Sequence, residues 1–295
     1  MLNDTFRQAA RSTAAAAAVL LIAGCTAGSG SGTQPAASLT PSPKESVAPT
    51  TSPSPTTVPS ASPAAITTSP SPSPAGTGEH ASKEPLYRMN EKSYRFAPIG
   101  DASKKVVLLS FDDGPKEKEM LTSMLDTLDK HSAKAIFFVN GYRAKENPEL
   151  LKLIQERGQT IGNHSWDHIE LRKKSKAEVQ KQLGDVQDIV EKETGERPVF
   201  FRPPFGAGGD VGKQVAKDEG MLYMTWSNGS LDWDLKATKK DSQLVIKQVM
   251  DQLHPGANIL MHELQWTADG LDSLLTKLKE KGYGFIDPAT IEIKS

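Results

Sequence analysis

Apolar and polar residues alternate with two different periods along residues 86–295. Short runs that are apolar almost throughout, as in parallel strands covered on both faces, recur along this region. These runs are VVLLSF (106–111), AIFFV (135–139), VFF (199–201), LYMTW (222–226) and NILM (258–261). The segments between them place apolar residues three or four apart, which predicts helices. The alternation predicts an α/β fold with either an open parallel sheet or a barrel, and a distorted (β/α) barrel of about seven or eight units fits the length.

Three of the helical segments predict which residues face the core. The predicted buried faces are Met120, Leu121, Met124, Leu125 and Leu128 in the first, Val179, Leu183, Val186, Ile189 and Val190 in the second, and Leu271, Leu274, Leu275 and Leu278 in the third. Asn147-Pro148 and Ser175 are typical of helix starts, whereas Gly158 and Gly195 are typical of helix ends.

Residues 1–25 have the pattern of an export signal. Arg7 and Arg11 precede the apolar stretch STAAAAAVLLIAG (12–24), which is too short for a comfortable membrane span. The stretch ends in LIAGC, which resembles a lipobox, in which the cysteine is lipidated and becomes the new N-terminus. We therefore expect an exported protein at the cell surface, anchored to the membrane through a lipid on Cys25. An uncleaved N-terminal anchor is the alternative.

Residues 26–85 consist mainly of Ser, Thr, Pro, Ala and Gly, and twelve of the 20 prolines lie between Pro35 and Pro85. With almost no large aliphatic residues, this stretch cannot bury enough surface to offset its ordering entropy. It is predicted to be a disordered linker, acting either as a tether or as a tail without a spacer role. The folded domain is then expected to span residues 86–295.

Charge and cysteine content narrow the function further. The net charge is −1 and no basic stripe is present, so nucleic-acid binding has little support. Cys25 is the single cysteine of the chain, and an intramolecular disulfide is therefore impossible.

Polar clusters follow the predicted strands. They read SFDDGP (110–115), GNHSWDH (162–168), FRPPFG (201–206), WSNGSLDWD (226–234) and LMHE (260–263). Each has a structural explanation on its own, such as an Asp-Gly turn or a loop arginine, but α/β barrels gather their functional residues at strand ends. One carboxylate and two imidazoles leave coordination positions open, as in catalytic metal sites. A second carboxylate can accept a proton, and a separate histidine can donate one.

The order of these five clusters closely resembles the motifs of the polysaccharide deacetylase family (NodB-homology, carbohydrate esterase family 4). The resemblance runs from about Lys104 to the end of the chain, and it is strongest to the peptidoglycan deacetylases of Gram-positive bacteria. It implies that Asp113, His164 and His168 bind the metal. It also implies that Asp112 is the general base and His262 the general acid.

The resemblance assigns supporting roles to other residues. Arg202 is expected to orient Asp112, and Asp232 is expected to hold Arg202. Ser165 is expected to link the two histidine-bearing turns by hydrogen bonds.

Three residues are implied to form the substrate pocket. Leu260 and Trp233 would line it around the acetyl methyl group, and the backbone N–H of Phe205 would hold the oxyanion. The chain departs from the family pattern at Gly229, where many members have an aspartate, and at Ser110, where threonine is more usual. The first departure leaves the identity of the sugar open among N-acetylmuramic acid, N-acetylglucosamine and a chitin-like oligomer.

The implied activity is metal-dependent hydrolysis of N-acetyl groups on the amino sugars of a cell-wall polysaccharide, with release of acetate. The expected metal is zinc, although such ligands also accept cobalt, manganese or nickel. The expected partners are an N-acetylated glycan, with peptidoglycan foremost, and the membrane through the lipid. The alternatives are a non-catalytic wall-binding lipoprotein on a decayed barrel and a hydrolase of another bond, such as a phosphodiester.

Asp112 and Asp113 pose a geometric problem because neighbouring side chains of a strand face opposite ways. Both can reach one site only if the chain leaves strand geometry between them. The turn at Gly114-Pro115 is expected to provide this departure.

Overall fold

The structure, a computed structural model, describes residues 83–293, which belong to one structural unit. The predicted signal segment, with Cys25, and residues 26–82 of the predicted linker lie outside the described residues. None of the helices within residues 83–293 is long and apolar enough to cross a membrane.

The strands and helices follow each other largely as the hydrophobic pattern predicts. The strands are β1 Tyr87–Met89, β2 Phe96–Pro98, β3 Val106–Gly114, β4 Ala135–Val139, β5 Thr160–Asn163, β6 Phe200–Phe201, β7 Leu222–Tyr223, β8 Asn228–Gly229, β9 Ala257–His262 and β10 Gly284–Phe285. The helices are α1 Lys118–Lys130, α2 Gly141–Glu146, α3 Pro148–Glu156, α4 Lys176–Thr194, α5 Gly209–Asp218, α6 Leu235–Thr238, α7 Ser242–Asp251 and α8 Gln265–Glu280. Short 3₁₀ turns lie at Pro204–Gly206 and Pro288–Thr290.

The central sheet is parallel throughout, in the order β7-β6-β5-β4-β3-β9-β8, and β10 pairs with the start of β3. Its outermost strands, β7 and β8, do not pair with each other among the described residues, so the sheet forms a curled half-barrel. This agrees with the predicted α/β class and with a distorted barrel. A separate antiparallel hairpin, β1-β2, was not predicted from the sequence.

The two faces of β3 explain why its sequence is apolar almost throughout. Val107, Leu109 and Phe111 pack in the cluster that includes the apolar faces of α1 and α8. The alternate residue Leu108 packs inside the curl, in a cluster that also contains residues of the β1-β2 hairpin. Helices therefore cover one face and the hairpin fills the lower interior, which leaves the carboxyl ends of the strands for polar residues.

The structure confirms several local predictions. β4 has the predicted bounds, and the predicted faces of α1, α4 and α8 are buried apart from the half-buried Ile189. Ser175 begins α4 with a reciprocal capping box to Glu178, and Gly195 ends it in a left-handed conformation. The strand predicted at 222–226 was too long, because only its first two residues pair with β6.

A bulge at Asp113 answers the geometric problem of the two aspartates. The pairing of β3 with β4 shifts register between Asp112 and Gly114, and Asp113 has a left-handed backbone with φ 66°. The expected departure from strand geometry is confirmed. It occurs at Asp113 itself and not at the Gly114-Pro115 turn, because β3 continues pairing to Gly114. A bulge re-aims one side chain without ending the strand.

Candidate active site

Asp113, His164 and His168 meet at the carboxyl end of the sheet. One ligand atom from each can be chosen so that all lie within 4.8 Å of one another, a grouping found nowhere else among residues 83–293. Oδ1 of Asp113 lies 3.1 Å from Nε2 of His168 and 3.5 Å from Nε2 of His164. The bulge delivers the carboxylate, and the loop after β5 delivers both imidazoles.

The cluster fits a divalent metal. Oδ1 of Asp113 is buried and has no hydrogen-bond partner, although two imidazole nitrogens lie beside it. A buried carboxylate oxygen without a partner is unfavourable unless a cation satisfies it. Burial raises the pKa of Asp113, but the neighbouring histidines more than offset this and hold that pKa well below its usual range. An ionised carboxylate with two imidazoles is a ligand set that zinc accepts.

The surroundings of His164 favour the neutral form of its imidazole, which is the form that binds a metal. Its Nδ1 lies 2.6 Å from the backbone carbonyl oxygen of Arg202, so Nδ1 carries the proton and donates it to that acceptor. Burial lowers the pKa of the imidazole, even though Asp112 and Asp113 act in the opposite direction. The Nε2 lone pair is then free to face the cluster, as in metal sites whose ligands are oriented by outer hydrogen bonds.

The loops of the site hold several residues other than glycine in left-handed backbone conformations. These are Asp113, Ser165, His168, Phe205 and Leu231, with φ between 53° and 66°. Such conformations cost on the order of 1–3 kcal/mol each, so they persist only where the surrounding structure enforces them. Their concentration at the strand ends indicates that the side chains are aimed before any ligand arrives.

Ser165 supports its loop through the backbone. Its N–H donates to Oδ1 of Asn163, and its carbonyl accepts from the N–H of Gly141 at 3.1 Å. Its hydroxyl is buried and makes no hydrogen bond to any described residue. The expected link between the two histidine-bearing turns through Ser165 is therefore wrong for its side chain.

Asp112 lies beside the cluster and is nearly fully buried. Its Oδ1 accepts a hydrogen bond from Nη1 of Arg202 at 2.7 Å, whereas its Oδ2 lies 3.7 Å from Nε2 of His164. The expected contact between Arg202 and Asp112 is confirmed. One carboxylate oxygen is held by the guanidinium, and the other faces the proposed ligands.

Arg202 is fully buried, and Asp112 is its only ionic partner among the described residues. Nη1 also donates to the hydroxyl of Ser110 at 2.8 Å, and Nη2 donates to the carbonyl of Thr225 at 3.0 Å and to Oδ1 of Asn258 at 3.1 Å. The polar partners fix the guanidinium in one orientation and thereby fix the Asp112 carboxylate.

Asp232 does not hold Arg202, and that expectation is wrong. Oδ1 of Asp232 lies 2.7 Å from Nδ1 of His262, and its Oδ2 accepts from the backbone N–H of His262 and the hydroxyl of Thr267, both at 2.7 Å. The reason is the strand order. Asp232 follows β8, which pairs with β9, whereas Arg202 follows β6 on the other side of β3.

His262 is the electrostatic opposite of His164. Burial alone lowers its pKa, but the hydrogen bond and charge of Asp232, together with the charges of Asp112 and Asp113, raise the pKa above its usual value. His262 is also the strand neighbour of Asp112 across the β3–β9 pairing. The site thus combines a histidine that favours the neutral form with one that favours the charged form.

The predicted pocket residues surround these groups. The ring of Trp233 is 43% exposed and stands edge-on to that of His262, with centroids 5.1 Å apart. Phe205 is 67% exposed, and its ring stands edge-on to that of His168 with the ring centroids 4.7 Å apart. Leu260 is buried two residues before His262 on the same strand, so both face the same side of the sheet. Their proposed contacts with substrate stay predictions.

Sequence reasoning missed the partners Asn258 and Thr267 and the buried Glu263. Glu263 has no exposed surface, its Oε2 accepts the N–H of Lys116 at 3.1 Å, and burial raises its pKa to about 7. Any side chain at position 114 would overlap the Glu263 carboxylate, which explains the glycine. Asn258 could have been noticed, because it is a polar residue within an otherwise apolar strand.

Comparison with known proteins agrees with this geometry. Residues 99–224 match the family model described as polysaccharide deacetylase. A peptidoglycan-N-acetylglucosamine deacetylase of Listeria monocytogenes is 41% identical over 62% of this chain and 38% of its own length. The solved structure of the peptidoglycan deacetylase PdaC from Bacillus subtilis is 35% identical with a TM-score of 0.57, covering 63% of this chain and 89% of that chain. A pseudoenzyme of the CE4 family from Bacillus anthracis is 32% identical with a TM-score of 0.60, covering 64% of this chain and 67% of that chain.

The fold, the strand-end cluster and these similarities define a single class of protein. The chain belongs to the polysaccharide deacetylase family, which is called the CE4 family among the similar solved structures. It spans about two fifths of the length of the Listeria relatives.

Proposed function

We propose that the protein hydrolyses N-acetyl groups on amino sugars of a cell-wall polysaccharide, with peptidoglycan as the substrate and acetate as a product. The observation that carries the proposal is the pairing of opposite histidines around Asp112. Burial and the carbonyl of Arg202 favour the neutral form of His164 within the metal-ligand cluster, whereas Asp232 favours the protonated form of His262. The relatives named above, which include peptidoglycan deacetylases, support the choice of substrate.

The site also supports a metal-dependent reaction. Asp113, His164 and His168 would hold a divalent metal, which would supply Lewis-acid chemistry towards a carbonyl oxygen and water. Zinc suits this ligand set, and cobalt, manganese and nickel would also be accepted.

Asp112 acts as the general base. Its Oδ2 takes a proton from the water that attacks the acetamide carbon, while Arg202 keeps the carboxylate oriented and stabilises its charge. The backbone N–H of Phe205 donates to the oxyanion that develops on the former carbonyl oxygen.

His262 acts as the general acid. It protonates the departing nitrogen as the C–N bond breaks, which yields acetate and the free amino sugar. Asp232 stabilises the imidazolium before the transfer and fixes the proton of Nδ1, so that Nε2 is the donating atom. Trp233 and Leu260 enclose the acetyl methyl group beside this histidine.

A non-catalytic wall-binding role is the second candidate, because one similar structure is a pseudoenzyme. The intact site argues against it. Asp112 and His262 are both present, and each is hydrogen-bonded to a charged partner, Arg202 and Asp232 respectively.

The deciding experiment measures acetate release from purified peptidoglycan and from chitooligosaccharides, with metal-loaded and chelator-treated protein. The proposed function predicts acetate release that disappears on chelation and returns with added zinc. Binding of peptidoglycan without any acetate release would favour the non-catalytic role.

The residues before the domain suggest where it works. We infer that Cys25 is lipidated, that residues 26–85 form a linker, and that the domain of residues 86–295 acts at the cell surface. The support is the sequence pattern LIAGC and the Pro/Ser/Thr-rich composition. Membrane fractionation of a Cys25→Ser variant tests this, and unchanged membrane association would contradict the lipid anchor.

A further inference from the structure

His168 is the metal-ligand candidate with the least direct support. Its side chain is 26% exposed, and its backbone is left-handed with φ 53°. Among residues 83–293, none hydrogen-bonds to its Nδ1 or to its backbone. His164, by contrast, donates from Nδ1 to the carbonyl of Arg202. Histidine ligands are normally oriented by such an outer hydrogen bond, so the orientation of His168 must depend on the loop before it.

The first part of that loop is attached to helix α2. The carbonyl of Ser165 accepts from the N–H of Gly141 at 3.1 Å, and the carbonyl of Trp166 accepts from the N–H of Tyr142 at 3.2 Å. The ring of Trp166 also packs against the helix backbone, since a Cβ at Gly141 would lie 2.1 Å from Cε3 of that ring. These contacts fix the loop as far as Trp166, and they leave the next residue to fix His168.

That next residue, Asp167, is held by a second helix, α4. Its N–H donates to Oε1 of Gln182 at 2.9 Å, and its Oδ2 accepts from Nε2 of Gln182 at 2.6 Å. These are the only hydrogen bonds of Asp167 within the described part of the chain. Two bonds to one amide restrict both the position and the orientation of Asp167, whereas a single bond would allow rotation about it.

Helix α4 is a firm support for this contact. It is 19 residues long, begins with a capping box and buries an apolar face in the core. Gln182 is half-buried next to the fully buried Leu183 on this helix. The left-handed backbone of His168 is unfavourable for a residue with a side chain and persists only where its neighbours enforce it. The reciprocal contact at Asp167 is directly adjacent in the chain and supplies this constraint.

We propose that Gln182 positions His168 through Asp167, and that this contact raises the affinity of the site for its metal. The inference rests on the metal-dependent reaction proposed above. Without the contact, residues 167 and 168 would have more conformations available, and the entropy lost in ordering them would weaken metal binding. Gln182 is then a positioning residue, because it acts through Asp167 and not on the metal.

The charge of Asp167 offers a different explanation, since a carboxylate next to a ligand attracts a cation whether or not Gln182 holds it. An exchange of the two side-chain types separates the explanations. Asp167→Asn combined with Gln182→Glu keeps one carboxylate and one amide, and it allows both hydrogen bonds to form again. Gln182→Glu alone places two carboxylates against each other and adds a negative charge. Charge alone predicts tighter metal binding for that variant, whereas positioning predicts weaker binding.

The experiment measures the dissociation constant for zinc in the full chain, which is freed of metal with a chelator and titrated in competition with a colorimetric zinc indicator. Gln182→Ala and Gln182→Glu should each weaken zinc binding roughly 10- to 100-fold, as the loss of an outer partner of a ligand usually does. The exchange variant should recover most of that affinity. Gln180→Ala is the matched control, because the side chain of Gln180 is exposed on the same helix and hydrogen-bonds to no described residue.

Thermal unfolding of the metal-free protein distinguishes positioning from a simple loss of stability. Metal-free Gln182→Ala should unfold at nearly the temperature of the unaltered chain, since alanine favours helices. An unchanged zinc dissociation constant in Gln182→Ala would overturn the inference, and so would tighter binding in Gln182→Glu or an exchange variant that binds no better than Gln182→Glu. If Gln182→Ala does not fold, the comparison of Gln182→Glu with the exchange variant decides alone.

Acetate release separates this inference from the proposed function. At limiting zinc the two single variants should lose acetate release along with zinc occupancy, and they should regain much of it at saturating zinc. If zinc affinities follow the expected order but no protein releases acetate from any wall glycan, the deacetylase function fails while the positioning of His168 stands. Acetate release with equal zinc affinities in all the proteins would contradict the positioning and leave the function intact.

Discussion

His164 is buried and the side chain of His262 is 12% exposed; both lie at the carboxyl ends of parallel strands, and in both the Nδ1 atom has a single partner. For His164 the partner is the neutral carbonyl of Arg202 at 2.6 Å, whereas for His262 it is the carboxylate of Asp232 at 2.7 Å. The pKa of His164 is lowered chiefly by burial, and the pKa of His262 is raised by its acidic surroundings in spite of burial.

The difference teaches how one residue type supplies two kinds of chemistry within one site. A neutral acceptor fixes the tautomer and leaves a lone pair on Nε2, which is what a metal requires. A carboxylate acceptor stabilises the imidazolium, which is what a proton donor requires. The role of each histidine is thus set by a residue that follows another strand.

The largest expected effect comes from removing the metal ligands. His164→Ala and Asp113→Asn should lose bound zinc and deacetylase activity together. Activity should fall about 10⁴-fold or more, since Lewis-acid catalysis is worth several kcal/mol and each 1.4 kcal/mol is tenfold. Metal content by mass spectrometry and acetate release by coupled assay test this. Full zinc occupancy in either variant would remove that residue from the ligand set.

His262→Ala should behave in the opposite way. It should retain zinc and lose turnover by roughly 10²- to 10⁴-fold, the usual contribution of a general acid. Asp112→Asn should likewise purify with zinc and be inactive, because Asp112 acts as the base and not as a ligand. A zinc-free His262→Ala protein would show that His262 is a metal ligand, as His164 is proposed to be. A zinc-free Asp112→Asn protein would show that Asp112, and not Asp113, is the ligand.

Asp232→Asn replaces the charged partner of His262 with a neutral one. The two histidines would then both have neutral partners, since that of His164 is the carbonyl of Arg202. A general acid works while protonated, so activity is lost as the pH rises through the pKa of His262. Because Asp232 raises that pKa, its loss should move the alkaline limb of the pH–rate profile to lower pH and reduce turnover roughly 10- to 100-fold. Asp234→Asn is the control, since Asp234 only caps a helix, which asparagine also does well. An unmoved alkaline limb would separate Asp232 from the proton donor.

Thr267→Val should have the smallest effect on activity. It should move the alkaline limb of the pH–rate profile in the direction opposite to that expected for Asp232→Asn. The Thr267 hydroxyl donates to Oδ2 of Asp232 at 2.7 Å and so spreads the carboxylate charge. Without it, Asp232 should attract the His262 proton more strongly, which moves the alkaline limb to higher pH by less than about 1 unit. Stability should fall by about 1–3 kcal/mol, measured by denaturant unfolding. A shift to lower pH would contradict the proposed electrostatic role of the hydroxyl.

Much of this site could be predicted because its signals are local. The runs VVLLSF and AIFFV predict strands that are buried on both faces, and the polar clusters follow those strands directly. The alternation of side chains along a strand is enough to require a break between Asp112 and Asp113. The location of that break in the bulge at Asp113 was not predictable, because a bulge depends on pairing with the neighbouring strand.

The partner of Asp232 could not be predicted for a similar reason. The sequence places Asp232 after one strand and both Arg202 and His262 after others, but only the strand order decides which of them is near. Glu263 shows the same limit. A glutamate next to a histidine gives no sign of full burial, which depends on the space left by Gly114.

The interior position of Arg202 has a consequence for how such a protein can lose its activity during evolution. The guanidinium connects β3, β9 and the loop after β7 through Ser110, Asn258 and Thr225, so a chain that lost it would also lose part of the structure of its barrel. Asp113 and His168 are about one quarter exposed and support no comparable network. Relatives that keep the fold but lose the activity are therefore expected to change first at the metal-ligand positions. They are expected to retain the arginine for its structural role.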